Sequence, residues 1–192
     1  MSYFILPAFY NKDTIKAQLE NQILNDYNLQ VELDTSLKYG MLPRPHYFSK
    51  NVVFKYNSQE IARSDNTKVL IFANNLFSSE NLKIKDLIFK KTDFKIDNSN
   101  FRFFIDLLKN IKESKRISFL NSKIFYLDEN DDIIFLTNIN KLNYLYEQNF
   151  LQEFNSKFNV FNIPINLNVE HNINEKKIFN SLSSHQLRLN VQ

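Results

Sequence analysis

At 192 residues the chain is long enough to bury a sizeable core as one domain, or at most two. Its 24 Lys and Arg against 21 Asp and Glu leave a net charge of +3, too small a bias to nominate nucleic acid, and the absence of cysteine excludes both a disulfide framework and a thiolate metal site. A single glycine, Gly40, excludes a glycine-rich phosphate loop, while the abundance of Asn, Lys and Ile matches what A/T-rich codons favour and is not a low-complexity signal.

The chain opens with a short apolar run, Tyr3 to Leu6, stopped by Pro7. It is too short to span a bilayer, which needs about 20 apolar residues, and it lacks the basic front end and cleavage site of a secretory signal. Residues 1–10 therefore read either as a plain N-terminus or as the last turn of a membrane anchor, and 11–192 as one domain. From Asn11, a capping residue, Ile15, Leu19 and Ile23 recur at helical spacing with Leu24 widening the stripe, which predicts an amphipathic helix ending at Asn25–Asn28. Leu29, Val31 and Leu33 then alternate as a first strand. In Tyr39 to Pro45 two prolines at alternate positions impose an extended segment that holds Arg44 outward. Phe48, Val52, Phe54 and Tyr56 are expected on one face of a longer strand, and Val69 to Phe72 reads as a strand buried on both sides.

The stretch Leu82 to Ile96 states the rule that later segments repeat. Leu82 and Ile84 share one side, Leu87 and Phe89 share a side, and so do Phe94 and Ile96, with Lys83, Lys85, Lys90 and Lys95 between them. The apolar parity changes twice, so a bulge or bend is expected near Asp86 and again near Thr92. After Asp97–Asn100, the residues Phe101, Phe104, Ile105, Leu108 and Ile111 predict a second helix near 99–113. Strands follow at Ile117–Phe119, Ile124–Tyr126, Ile133–Phe135 and Leu142–Tyr146. Phe150–Phe154 is ambiguous between strand and helix, and Phe161, Ile163, Ile165, Leu167 and Val169 give the cleanest alternation in the chain. Pro164 demands an edge or solvent side, and Leu187, Leu189 and Val191 begin a last strand whose outer edge is open. With one glycine, Asn and Asp must make the turns.

The fold class is thus mainly β with two helices (α+β): an open antiparallel sheet with one apolar face, an N-terminal amphipathic helix and a second helix. Phe54, Ile71, Ile84, Phe89 and Phe94 are the residues whose parity points them to that shared face, and they are the candidates to line a lipid groove there. Candidate chemistry is sparse. His46, His171 and His185 fit no metal-ligand spacing and read as surface residues; Glu129, Asp131 and Asp132 read as solvated turn carboxylates; no nucleophile has local support. Neither catalysis, nor a metal, nor a cofactor is expected. The lysines at 83, 85, 90, 91 and 95 read as a solvated strand face that blunts edge pairing, and Arg44 either meets a lipid headgroup phosphate or makes a structural ion pair.

Leu6-Pro7 with the following Asn-Lys-Asp, the helix from Ile15 to Ile23, Leu42-Pro43-Arg44-Pro45 with Asn51-Val52-Val53-Phe54 after it, and Leu82 to Asn100 together resemble the N-terminal region of the AsmA family. Phe158 to Ile165 and Leu187 to Val191 look like that family's continuing strands. The resemblance implies an envelope protein of outer-membrane biogenesis: an inner-membrane helix ending near Leu6, then a curved periplasmic β-groove that carries phospholipid acyl chains while headgroups stay in water. It implies phospholipid, the inner membrane and other envelope proteins as partners, and no nucleic acid. A structural or protein-interaction module without lipid is the second reading; a nucleic-acid-binding sheet using the lysine face is the third and weakest.

Overall fold

A computed structural model describes residues 2–104, 114–148 and 150–192, with side chains from residue 5 onward. Eleven strands form one open sheet: β1 (Gln30–Glu32), β2 (Lys38–Gly40), β3 (His46–Tyr56), β4 (Gln59–Ile71), β5 (Ile84–Ile96), β6 (Lys115–Leu127), β7 (Ile133–Glu147), β8 (Leu151–Val160), β9 (Ile163–Asn172), β10 (Lys177–Ser184) and β11 (Leu189–Val191). β1 and β2 share the outer edge of β3, and every strand from β3 to β11 pairs with its successor. The expectation of a wholly antiparallel sheet needs one correction. β5 and β6 run parallel, because the connection over 97–114 crosses from one end of the sheet back to the other instead of turning as a hairpin.

The N-terminal helix α1 (Lys12–Tyr27) forms where expected. The Asn11 side chain accepts from the amides of Asp13 and Thr14, Asn28 closes the C-terminus in the left-handed conformation, and Ile15, Leu19, Ile23 and Tyr27 are buried. Leu24, expected in that stripe, is exposed. Polar ties fix the helix on the sheet: Gln22 Oε1 accepts from the Ile84 amide, Gln18 Nε2 donates to the Glu80 carbonyl, and Glu20 accepts from the Leu33 amide. At its C-terminal end Asp26 pairs with Lys115, whose buried ammonium lies 5.1 Å from the Tyr27 ring centre. Residues 2–9 form a 3-10 helix that runs through Pro7, with Tyr47 Oη donating to the Pro7 carbonyl. The second helix is seen over 101–104, where Phe103 stacks on Tyr56 at 4.6 Å and Phe104 meets Phe94 at 5.9 Å. Phe101 of the expected stripe is exposed, and Ile105, Leu108 and Ile111 lie outside the described residues.

A line of bulges crosses five strands at matching positions. Core-facing residues are spaced by three instead of two at Ser49/Val52 in β3, Ser64/Thr67 in β4, Phe89/Thr92 in β5, Phe119/Ser122 in β6 and Ile139/Leu142 in β7. Left-handed backbone at Asn51, Lys91 and Asn121, with φ of 49°, 53° and 51°, makes the extra step in three of them. The shift foreseen near Thr92 is therefore Lys91, and the one foreseen near Asp86 is the irregularity where Ile71 pairs with Ile84 but Leu70 pairs with Asp86. Phe48 is corrected to the face opposite Val52 and Phe54, because Asn51 lies between them.

The bulges free backbone groups, and small buried hydroxyls satisfy them. Ser122 Oγ accepts from the Thr92 amide at 3.1 Å and donates to the Leu120 carbonyl, while Ser64 Oγ lies 3.2 Å from the Asn66 and Lys90 carbonyls. Ser122→Ala is expected to lower stability by about 1–3 kcal/mol, since it orphans a buried amide. Urea unfolding reads the loss, and faster hydrogen exchange at the Thr92 amide locates it.

Turn chemistry follows the scarcity of glycine. Asn57-Ser58 and Phe161-Asn162 each place two successive residues at positive φ to close the β3–β4 and β8–β9 hairpins, and Asp128 Oδ1 accepts from the amides of Asn130 and Asp132 in the β6–β7 turn. Gly40 is not at positive φ. A Cβ there would sit 2.7 Å from the imidazole of its cross-strand partner His46. That packing also corrects the surface reading of His46, which is buried with Nδ1 2.8 Å from the Arg44 carbonyl.

Burial gives two tyrosines on the core face a pH signature. The phenol of Tyr144 is pushed up to about 12 by burial, helped by neighbouring Tyr146, and burial raises that of Tyr47 further. A raised phenol favours the neutral fold, so this stability is complete below the unfolded value near pH 10 and drains away as pH climbs toward 12. For Tyr144 the loss is about 2–3 kcal/mol. Urea midpoints between pH 8 and 12 are expected to fall less steeply in Tyr144→Phe than in the wild type.

Candidate functional apolar face

Cross-strand partners share a side of a sheet. One lateral row on the core side therefore runs Ser49, Thr67, Phe89, Phe119, Leu142, Ser156, Leu167, Leu182, Val191 from β3 to β11. A second passes through Val69, Leu87, Ile117, Tyr144, Phe154 and Val169, and a third through Phe54, Ala62, Phe94, Ile124, Thr137, Val160 and Ile163. All five apolar candidates, Phe54, Ile71, Ile84, Phe89 and Phe94, lie on this one side. Phe89 stacks on Phe119 at 5.1 Å and meets Phe54 at a tilt at 4.9 Å, and Phe94 meets Phe119 edge-on.

The structure buries these five together under α1 and the 101–104 segment. Cover thins along the row, though not evenly: exposure is 0% at Phe89 and 8% at Phe119, Ser156 is still buried, Leu167 and Leu182 are half-buried, and Val191 is 52% exposed. The accessible part of the apolar face is the stretch over β8–β11, formed by Phe154, Phe158, Ile165, Leu167, Val169 and Leu182, all half-buried, with Phe154 packed against the edge of the core. The side chains on this side of β8–β11 include no Lys, Arg, Asp or Glu, whereas Glu153, Lys157, Glu170 and Lys177 all point the other way. His171 is the polar end of β9, its Nδ1 3.2 Å from Gln152 Oε1. At the opposite rim Phe161 is 78% exposed at the hairpin tip with its ring against Phe135.

The period-2 run from Ile163 to Val169 marked this stretch in the sequence. Leu182 and the rest of β10 were missed, because Asn180 and Ser184 break the apolar alternation there. Pro164 sits beyond the β10 ladder, which begins at Asn166; its carbonyl accepts from Ser184 Oγ, so the proline interrupts no pairing.

Arg44 stands apart from these residues. Exposed in the loop after a cis Leu42–Pro43 bond, it lines a cleft of about 330 Å3 on the other side of the sheet with Asp86, Arg116, Lys141 and Glu153. It makes no ion pair among the described residues. Lys90, Lys91 and Lys95 are exposed. Among the described residues no group of three or more His, Asp or Glu is placed to hold a metal ion, and no helix is long and apolar enough to cross a membrane. No protein-family model matches the chain, and no curated protein matches it.

Proposed function

We propose that the protein is a non-enzymatic lipid-binding segment, in which phospholipid acyl chains lie on the apolar face of β8–β11. The observation that carries this reading is a four-strand face free of charged side chains on which, among the described residues, the large apolar side chains stay half-buried or exposed, on a sheet whose first strands bury theirs in the core beside α1. Strand spacing near 4.8 Å and a rise near 3.3 Å per residue make such a face about 19 Å wide and about 33 Å long at β8 and β9, shortening to about 10 Å at the three-residue β11. Each methylene withdrawn from water contributes about 0.8 kcal/mol. With the AsmA resemblance, the setting is the periplasmic side of the inner membrane and the process phospholipid transport in outer-membrane biogenesis. Arg44 lies on the opposite side from the apolar stretch, so a headgroup held beside those chains is served by His171 and Gln152 at the end of the row and not by Arg44.

Native mass spectrometry of the protein released from detergent-free buffer tests the proposal: adducts at phospholipid mass support it, and a bare polypeptide from cells that make phospholipid counts against it. The second reading, an envelope interaction module, is favoured by the same open face only if a protein layer covers it, and it predicts no such adducts.

A further inference from the structure

A second apolar surface lies at the end of the sheet where the β3–β4 and β6–β7 turns meet. Phe125, Leu127 and Ile133 line a cleft of about 590 Å3 there with Glu60, Lys95, Asp97 and Asp131. Leu136, the cross-strand partner of Phe125, extends the apolar floor, and Ile133 and Ile134 are 60% and 63% exposed. The wall is acidic. Asp128, Glu129, Asp131 and Asp132 crowd the β6–β7 turn and have no Lys or Arg partner among the described residues. Lys95 offsets one negative charge, Glu60 is held by Arg63, and Asp97 accepts from the Ser99 and Asn100 amides, so the remaining negative field comes from the turn, where Asp131 lines the cleft and Asp128 and Glu129 line the recess beside it. This is an anionic site on a chain whose net charge is +3.

We propose that this cleft docks a protein segment in which leucine-like side chains alternate with lysine or arginine. The apolar floor takes the hydrophobic side chains, and the turn carboxylates take the cations, which also selects against anionic membrane surfaces. The site is separate from the open face of β8–β11 and does not depend on lipid binding there.

The test is a fluorescence-anisotropy titration of the full chain with a 14-residue Leu/Lys amphipathic peptide, and with its Leu/Glu counterpart, at two salt concentrations (about 0.05 and 0.3 M, where screening differs strongly). The Leu/Lys peptide is expected to bind more weakly at higher salt, with Kd raised at least tenfold by Glu129→Gln/Asp131→Asn and by Ile133→Ser. Ile134→Ser, at an exposed position, gives the same loss without touching the β6 partner. Leu167→Asp is expected to leave this Kd unchanged. Equal binding of the Leu/Glu peptide, insensitivity to the cleft variants, or loss in Leu167→Asp alone would overturn the proposal. So would sedimentation showing a dimer that the cleft variants dissolve, which would make a second copy the occupant.

Discussion

Ile84→Asp is expected to unfold the protein. Ile84 is fully buried on the core face at the start of β5, paired with buried Ile71 and packed beneath α1, whose Gln22 side chain already engages its amide. An aspartate there has no cation to meet and no route to water, so the fold must either bury a lone charge or protonate it; the expected loss is about 4 kcal/mol or more, a large share of a domain's stability. Circular dichroism at neutral pH is the measurement, with loss of the sheet signal as the outcome. A folded Ile84→Asp protein would mean that α1 lifts away and that this part of the face is open in solution.

Leu167→Asp is expected to keep the fold and abolish lipid binding. Leu167 sits at the centre of β9 between Ser156 and Leu182, half-exposed on the charge-free stretch, and a carboxylate there can still reach water, so the stability cost is held to about 1–2 kcal/mol. Against a bound acyl chain the same carboxylate must lose its hydration, which costs several times more. Native mass spectra are expected to show the phospholipid-bound fraction falling at least tenfold while the urea midpoint moves little. Undiminished lipid in a folded Leu167→Asp protein would exclude β8–β11 as the binding face. The contrast between the two aspartates separates a closed core from an open face on one continuous side of the sheet.

The sequence pattern identified α1 through its cap and its i, i+4 stripe, and it identified the parity breaks in β5, since both leave a direct mark on which positions are apolar. It did not identify the first half of β4, because of the residues buried there only Ile61 is a large apolar side chain; Ala62, Ser64 and Thr67 are small or polar, meet the bulge line and carry no alternating hydrophobic signal. Phe48 was assigned to the wrong side for the same reason: an Asn at strand centre reads as polar filler until its left-handed backbone is seen. The parallel β5–β6 pair leaves no trace in either strand's alternation, since a one-sided strand looks alike in both orientations. As for the site, the apolar side was legible from Phe54, Ile84 and Phe89, but which part of it stays open was not. That depends on how far α1 and the 101–104 segment reach, a tertiary fact. Arg44 was read as outward, and it is; that outward meant the far side of the sheet depended on the loop after Gly40.

The bulge line gives β3 to β7 something like a shared reading frame. Deleting a bulge residue such as Asn121 would set Phe119 and Ser122 two apart, so both halves of β6 would keep their faces, but it would leave β6 one residue short against the extra residues still present in β5 and β7. Single-residue deletions in this region are thus not local events. Restoring the register would need matching deletions at the same level in both adjoining strands, at Lys91 and Asn140, while β8 to β10, whose alternation is unbroken, have no such phase to keep. The covered half of the sheet must therefore vary in concert across strands, and the open half can change length strand by strand.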